Sequence, residues 1–371
     1  MVLTLDKETI VFIVEDAIHA SDGYKSRIEM EMDILCDKFS FVMIAPKNKR
    51  NLSFRHNVEV IEYYGFCKKI PFLFNAGFIK KKVRKVKALY NNPIIYCEAL
   101  PAAVAIANLC KKLKLRFVFD CHGTAPDEVH LYHPNWMGLF YSRWLRKKQH
   151  AIVRDCALLV TVSKKQYELF ATDKQYVLLP MLPAAQFYGF KNYRKQMRQK
   201  LGIPQESTVY VYSGQNQKWQ MTDRTLQYYR IIEDANPLSF LVILTSCIDE
   251  LKCMVKRLHI KNYAVLKSDY EDVPKYLDAC DYGFCLRENH IINRVAAPTK
   301  VLEYVVRNVT PILSDYVGDY SEELRKEQLT AIIDIHKFSA HEQMTISTGD
   351  KYVENLRNKY IQKYLEAMER L

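Results

Sequence analysis

Three short stretches of this 371-residue chain deliver charge-bearing side chains directly after apolar runs. "RVAAPTKVLEYVVRNVTPIL" (294–313) sets Pro298, Thr299 and Lys300 ahead of an apolar stripe, with Glu303 one helical turn further on. "YVYSGQNQKWQ" (210–220) leads from an alternating run into Gly214 and Lys218, and "FVFDCHGTAPDE" (117–128) ends another run on Asp120 and His122. The chemistry open to such groups is specific. Free N–H groups at a helix start attract anions, and a carboxylate can accept two hydrogen bonds from a vicinal diol. A lysine answers a phosphate as a point charge, and a histidine beside an aspartate polarises a hydroxyl.

The elements that must position these groups follow from the hydrophobic pattern. β-branched and aromatic runs at 9–15, 39–45, 57–62, 93–98, 116–120, 157–163 and 176–180 alternate with helix-like stretches. After a proline-bounded segment without strand pattern, a second series runs through 208–213, 240–246, 263–267, 282–287, 310–314 and 331–336. Strands alternating with helices specify a parallel sheet covered on both faces. The expected fold class is α/β, two Rossmann-like domains facing across a cleft. The expected bounds are 1–188 for an N-terminal domain, 189–349 for a C-terminal domain and 350–371 for a helix that packs back on the first domain. In that helix Val353, Leu356, Tyr360, Tyr364 and Met368 recur at helical spacing. Ligands of open α/β sheets bind beyond the carboxyl ends of strands, which is where the three stretches fall.

For 298–309 the spacing predicts a helix with Val301, Leu302, Val305, Val306 and Val309 on one face and Lys300, Glu303 and Arg307 on the other, closed by Asn308 in the left-handed position. The plainest reading is an amphipathic surface helix with a Glu303–Arg307 ion pair worth about 0.3–0.5 kcal/mol. Its place after the run ending at Arg287 and Glu288 favours a binding helix, and anion-binding amides followed by a diol-binding carboxylate form a nucleotide-sugar pattern.

"CDYGFCLREN…RVAAPTKVLEYVVRNVTPIL" resembles the donor-site signature of family 4 glycosyltransferases of the GT-B fold, especially bacterial polysaccharide-biosynthesis enzymes. The resemblance implies that Glu303 holds the donor ribose, and that Pro298, Thr299 and Lys300 lie beside the donor phosphates. Family members commonly carry a further Glu where this chain has Val295, so Arg287, Glu288 or Asn293 is left to contact the donor sugar. Asn308 and Thr310 replace a Gly and a Pro of the family pattern. The 210–220 stretch resembles the strand, glycine and loop that hold the diphosphate, with Gly214 for backbone approach and Lys218 as charge partner. "FVFDCHGTAPDE" resembles the segment whose histidine approaches the donor sugar. "SDGYKSRIEME" (21–31) resembles the first loop and helix, with Gly23 near donor or acceptor. The implied catalytic set is His122, Asp120 and Glu303. The implied reaction is transfer of a sugar from a nucleotide diphosphate to an acceptor hydroxyl with retention. Neither cofactor nor metal is expected, in keeping with a sequence that contains no D-x-D triplet.

Composition bounds the rest. At 371 residues, two domains are the default. No run reaches the ~18 apolar residues of a membrane span, and the start lacks a signal-peptide pattern, which gives a cytoplasmic expectation. None of the ten cysteines has metal-ligand spacing, so buried thiols are expected. The net charge of +12 favours anionic partners. Segments 63–90 and 135–150 interleave aromatic and basic residues, which suggests peripheral binding to the inner face of an anionic membrane and a lipid-linked saccharide acceptor. A nucleotide-sugar epimerase would share the donor site without needing an acceptor. A basic nucleic-acid-binding protein would explain the charge, yet no RNA- or DNA-binding motif stands out, and nucleic acid is not the expected partner.

Overall fold

The computed structural model describes residues 7–14, 23–47, 54–63, 75–189, 192–337 and 344–371. The chain divides into two compact units, one of residues 1–179 with 360–371 and one of 180–359.

In the first unit the elements run β1 (Glu8–Ile13), α1 (Gly23–Leu35), β2 (Phe39–Pro46), β3 (Val58–Tyr63), α2 (Ala76–Leu89), β4 (Ile94–Glu98), α3 (Ala99–Leu113) and β5 (Phe117–Cys121). They continue with α4 (Ala125–Tyr132), α5 (Trp136–Asp155), β6 (Leu158–Thr161), α6 (Lys164–Glu168) and β7 (Tyr176–Leu178). The seven strands form one parallel sheet in the order β3-β2-β1-β4-β5-β6-β7. β4 and β5 are buried along their whole length, as strands covered on both faces must be. One core cluster joins the strands to the inward faces of α2, α3 and α5 through Ile79, Val83, Ile106, Leu109, Leu145 and Ile152.

The second unit begins with α7 (Arg194–Leu201), β8 (Thr208–Ser213), α8 (Thr222–Ala235), β9 (Ser239–Leu244), α9 (Ile248–Arg257), β10 (Tyr263–Leu266) and α10 (Val273–Asp278). It continues with β11 (Tyr282–Cys285), α11 (Ile291–Arg294), α12 (Thr299–Val306), β12 (Thr310–Leu313), α13 (Tyr320–Lys326) and β13 (Ala331–Ile332). Its sheet is also parallel, in the order β10-β9-β8-β11-β12-β13. Counted within the unit this is 3-2-1-4-5-6, the doubly wound order, which opens a crevice where β8 and β11 diverge at their carboxyl ends. The first six strands of the first unit follow the same order, with β1 and β4 at the switch point.

The C-terminal helix α14 (Gly349–Glu369) falls to both units, its residues from Tyr360 onward counted with the first. Tyr364 and Met368 are fully buried, and Tyr364 Oη donates to Tyr96 Oη of β4 at 3.0 Å, so the end of the helix packs on the N-terminal unit as expected. No helix among the described residues is long and apolar enough to cross a membrane. The described cysteines are free thiols, with Cys97, Cys110, Cys121, Cys156, Cys280 and Cys285 buried, Cys36 and Cys247 half-buried and Cys253 exposed.

Candidate functional site

The switch point of the second unit gathers most of the residues singled out in its sequence. β8 ends at Ser213, and Gly214 follows with φ +147°, donating its N–H to Leu244 O. A Cβ at Gly214 would lie 2.5 Å from Gln220 Oε1 and 3.0 Å from Lys300 Nζ, so glycine is what lets three segments converge. The loop is braced by Tyr212, whose hydroxyl donates to Gln215 O at 2.7 Å and lies 2.9 Å from Gln220 Oε1 and 2.8 Å from Thr222 Oγ1.

α12 is set against this loop by packing. Gly283 of β11 leaves room for the Tyr304 ring, whose atoms would come within 2.4–2.7 Å of a Cβ there. The Tyr304 hydroxyl then accepts from Ser213 N at 3.1 Å, pinning α12 to the end of β8. Pro298 is the N-cap of α12 with φ −63°, Thr299 is its first residue, and Asn308 ends the turn at φ +55° as the sequence predicts.

Lys300 is half-buried, its Nζ 4.8 Å from the Tyr212 ring centre and 3.5 Å from the neutral Gln220 Oε1. Burial lowers its pKa to about 8, with Arg287 adding repulsion and Glu303 and Cys285 opposing the shift. Glu303 is buried at 6 % exposure and accepts from Tyr270 Oη at 2.7 Å. Burial raises its carboxyl from the ordinary 4.5 to about 7, although the Tyr270 hydrogen bond and Lys300 pull the other way. Burial and the adjacent Glu303 push the Tyr270 hydroxyl well above its ordinary range.

The expected Glu303–Arg307 pair does not form. Arg307 instead donates from Nε to Asp278 Oδ1 at 2.9 Å and from Nη1 to the carbonyls of Phe187 and Gly189. α12 is therefore not an amphipathic surface helix: Glu303 sits among buried neighbours, and Arg307, just past the helix end and itself largely buried, pairs with Asp278 of α10.

The remaining residues of this region are placed unequally. Arg287 follows β11 and is 4 % exposed; its N–H donates to Ser314 Oγ, which donates back to the Arg287 carbonyl. Asn293 is 1 % exposed and donates from Nδ2 to Glu288 O, while its Oδ1 has no hydrogen-bond partner among the described residues. The Glu288 side chain is exposed, as is Lys218 on the short 3-10 turn Lys218–Gln220.

The first unit holds a second cluster. Glu98 and Asp120 end neighbouring strands in register, both fully buried. Arg27 of α1 donates to Asp120 from Nε and Nη2 at 3.1 and 3.2 Å, to Leu179 O at 2.6 Å, and lies 2.8 Å from Glu31 Oε1. His122 Nε2 lies 2.6 Å from Asp120 Oδ2 and 3.5 Å from Glu98 Oε2. Although burial opposes ionisation, Arg27 and His122 hold the Asp120 carboxyl far below its usual range. Burial also opposes protonation of His122, but Asp120 outweighs it and raises the imidazole pKa. Burial pushes both the Glu31 and Glu98 carboxyls upward, with repulsion from Glu98 adding to the shift of Glu31 and repulsion from Asp120 adding to that of Glu98. Glu98, Asp120 and His122 offer ligand atoms within 4.8 Å of one another. Arg27 and His122 both already pair with Asp120. Glu128 lies against Gly123, its Oε1 2.8 Å from where a Cβ would stand. Gly23 is the first residue of α1, and the loop before it lies outside the described residues.

Several members were not singled out in the sequence. Glu98 could have been found, since "PIIYCE" and "RFVFD" both end on an acid and adjacent parallel strands end side by side. Arg27, Glu31, Tyr270 and Gln220 carry no local signal, because each meets its partner only through the fold.

No protein-family model and no curated protein sequence matches this chain. Solved structures do. Sucrose-phosphate synthase of Thermosynechococcus elongatus superposes with a TM-score of 0.70 at 12% identity, over 90% of this chain and 87% of that one. Anabaena HepE in complex with UDP-glucose gives 0.65 at 13% identity over 98% and 100%. WaaG, a glycosyltransferase involved in lipopolysaccharide biosynthesis, gives 0.64 at 13% identity over 97% and 93%. At these identities what is shared is the fold, and the chain has the α/β architecture of two Rossmann-like units, GT-B, that these proteins possess.

Proposed function

We propose that the chain is a glycosyltransferase that moves a sugar from a nucleoside-diphosphate donor to an acceptor hydroxyl, with retention and without a metal. The observation that carries this reading is the pairing of Lys300 and Glu303 one turn apart on α12 against the Gly214–Gln220 loop, both driven toward neutrality by burial. A half-buried ammonium whose polar contact is a neutral amide is costly on its own and is stabilised by a ligand that brings negative charge. A diphosphate does so, and the start of α12 adds amide dipoles of the same sign.

In this reading Glu303 accepts from the two ribose hydroxyls, while Lys300, Lys218 and the backbone at Gly214 hold the phosphates. The start of α12, Pro298 and Thr299, lies beside the phosphates. Arg287, Asn293 and Glu288 are assigned to the donor sugar, and the buried Oδ1 of Asn293 gains the hydrogen bond it lacks. The departing diphosphate needs preorganised positive groups, for which the loss of one donor costs about 2.7–4 kcal/mol in other enzymes. The part assigned to His122, oriented by Asp120, is to polarise a sugar or acceptor hydroxyl. That HepE was solved with UDP-glucose and an Escherichia coli trehalose-6-phosphate protein with UDP-2-fluoro glucose supports testing a uridine donor first. A lipid-linked or growing polysaccharide acceptor, met at the cytoplasmic face of a membrane, belongs to the same proposal.

The test is a thermal-shift screen of UDP-, GDP-, ADP- and dTDP-sugars, because a ligand that binds only the folded state raises its stability by mass action. At least one is expected to raise Tm, and an active donor–acceptor pair is expected to give a product of unchanged anomeric configuration by NMR. If none of the four nucleotides shifts Tm, the donor-site assignment is wrong.

A further inference from the structure

Helix α5 has apolar residues on two opposite sides, and only one of them has a core to face. Its inner stripe, Gly138, Ser142, Leu145, Gln149, Ile152 and Val153, is buried. At ~100° per residue the side diametrically opposite that stripe is occupied by Trp136, Phe140, Arg143 and Lys147. Trp136 is 77 % exposed and Phe140 72 %. Met137 at 58 % flanks them, with Tyr132 of α4 exposed just before. Large apolar side chains in consecutive turns of an outward face form a patch of the kind that marks an interaction surface.

We propose that this face of α5 docks the protein onto an anionic lipid bilayer, with Trp136, Met137 and Phe140 entering the headgroup boundary and Arg143 and Lys147 reaching lipid phosphates. Charge complementarity selects this occupant over a protein partner. From Trp136 to Arg154 the helix carries Arg143, Arg146, Lys147, Lys148 and Arg154 and no acid. Among the described residues, Arg146 is the one cation near the patch with an ion pair, to Asp127.

The flanking helices extend the same charge. α2 and α5 both pack against α3, so the three lie side by side on one face of the sheet, and α2 turns Lys81, Arg84, Lys85 and Lys87 outward, without an acid of its own. Aromatic and Met side chains among cations match the interface, where rings sit at headgroup level and basic groups meet anionic phosphates. The second aromatic and basic segment marked in the sequence, 63–90, lies partly outside the described residues, and only its α2 portion enters this argument.

The proposal gives the lipid-linked acceptor of the functional reading a surface to be met on. Its test does not depend on that reading, because it measures binding and not transfer. The full chain is mixed with vesicles of phosphatidylcholine alone or of phosphatidylcholine with phosphatidylglycerol, and floated at low and high salt. Binding to the anionic vesicles alone is expected, weakened by salt. Arg143→Gln with Lys147→Gln is expected to weaken it roughly 30-fold, at about fivefold per cation. Trp136→Ser with Phe140→Ser is expected to weaken it at least about tenfold, and both pairs are exposed enough to leave the fold intact by circular dichroism. Tryptophan emission should shift to the blue on binding, and the shift should vanish in Trp136→Phe. Absence of binding to anionic vesicles overturns the proposal, as does binding that neither pair of substitutions alters. A concentration-dependent dimer abolished by Trp136→Ser with Phe140→Ser, without vesicle binding, would assign the patch to a second copy of the chain and equally overturn it.

Discussion

Replacing Glu303 by Gln should make the protein more stable and less able to bind a nucleotide. The folded state holds this carboxyl at about 7 against an ordinary 4.5. Between those values the folded chain binds more protons than the unfolded one. Stability contributed by the protonated acid is thus fully present below pH 4.5 and lost as pH rises through about 7. At ~1.4 kcal/mol per pKa step the ionised group costs on the order of 3 kcal/mol above pH 7. Gln keeps the shape and can still accept from Tyr270, which now reaches Glu303 Oε1 at 2.7 Å. Urea unfolding followed at several pH values should therefore show equal stabilities near pH 4.5 and a variant ahead by about 2–3 kcal/mol at pH 8. Thermal shift with the best nucleotide at pH 8 should show the opposite order. Hydrogen bonds to a charged acceptor contribute ~1.5–3 kcal/mol, so affinity should fall about 10- to 150-fold. A variant that is less stable at pH 8 would refute the burial argument. One that binds nucleotide as tightly as the parent would remove Glu303 from ribose recognition.

Lys300→Met should flatten the alkaline limb: the folded pKa of about 8 lies below the ordinary 10.5, so the parent gains stability as pH rises through that window, and the variant should not. The same variant should lose most of the nucleotide-induced Tm shift, read in the same thermal scan. Gly214→Ala places a Cβ at φ +147° against Gln220 and Lys300; a stability loss of about 1–3 kcal/mol and loss of nucleotide response are expected, measured by urea unfolding and calorimetric titration. Arg27→Met should destabilise the first unit by about 3–5 kcal/mol by stranding buried acids. Asp120→Asn added to it should recover part of that loss, and a double-mutant cycle in urea unfolding that finds the two additive would refute the pairing.

What could be read from the sequence is what local pattern controls. All thirteen expected strands are present, from "TIVFIVE" at Glu8–Ile13 to "AIIDIH" at Ala331–Ile332, with their ends shifted or shortened. A strand buried on both faces announces itself within five or six residues, and a helix start by its own proline and threonine. The convergence of Gly214 with Lys300 was legible for a related reason: a doubly wound sheet brings the ends of its first and fourth strands together, whatever sequence lies between. Asn308 at a left-handed φ is likewise a property of the residue and its two neighbours.

Partner choice was not legible. Helical spacing offered Arg307 to Glu303 at i,i+4, but packing against α10 offered Asp278 and two carbonyls to the same guanidinium, and the multiple contacts won. Tyr270, 33 residues from Glu303, took the carboxylate. Arg27 meets Asp120 across 93 residues and Tyr364 meets Tyr96 across 268, separations over which composition carries no information.

The sequence by itself determined the alternation of elements, the two parallel sheets and the chain positions at which the candidate binding groups emerge, because each depends on periodicity within a few residues. Only the tertiary structure decided which of those groups are buried, and hence that Glu303 and Lys300 stand near neutral pH while Asp120 stays ionised beside Arg27. The physical reason is that a side chain's charge state is set by desolvation and by the nearest opposite charge, both supplied by residues distant along the chain.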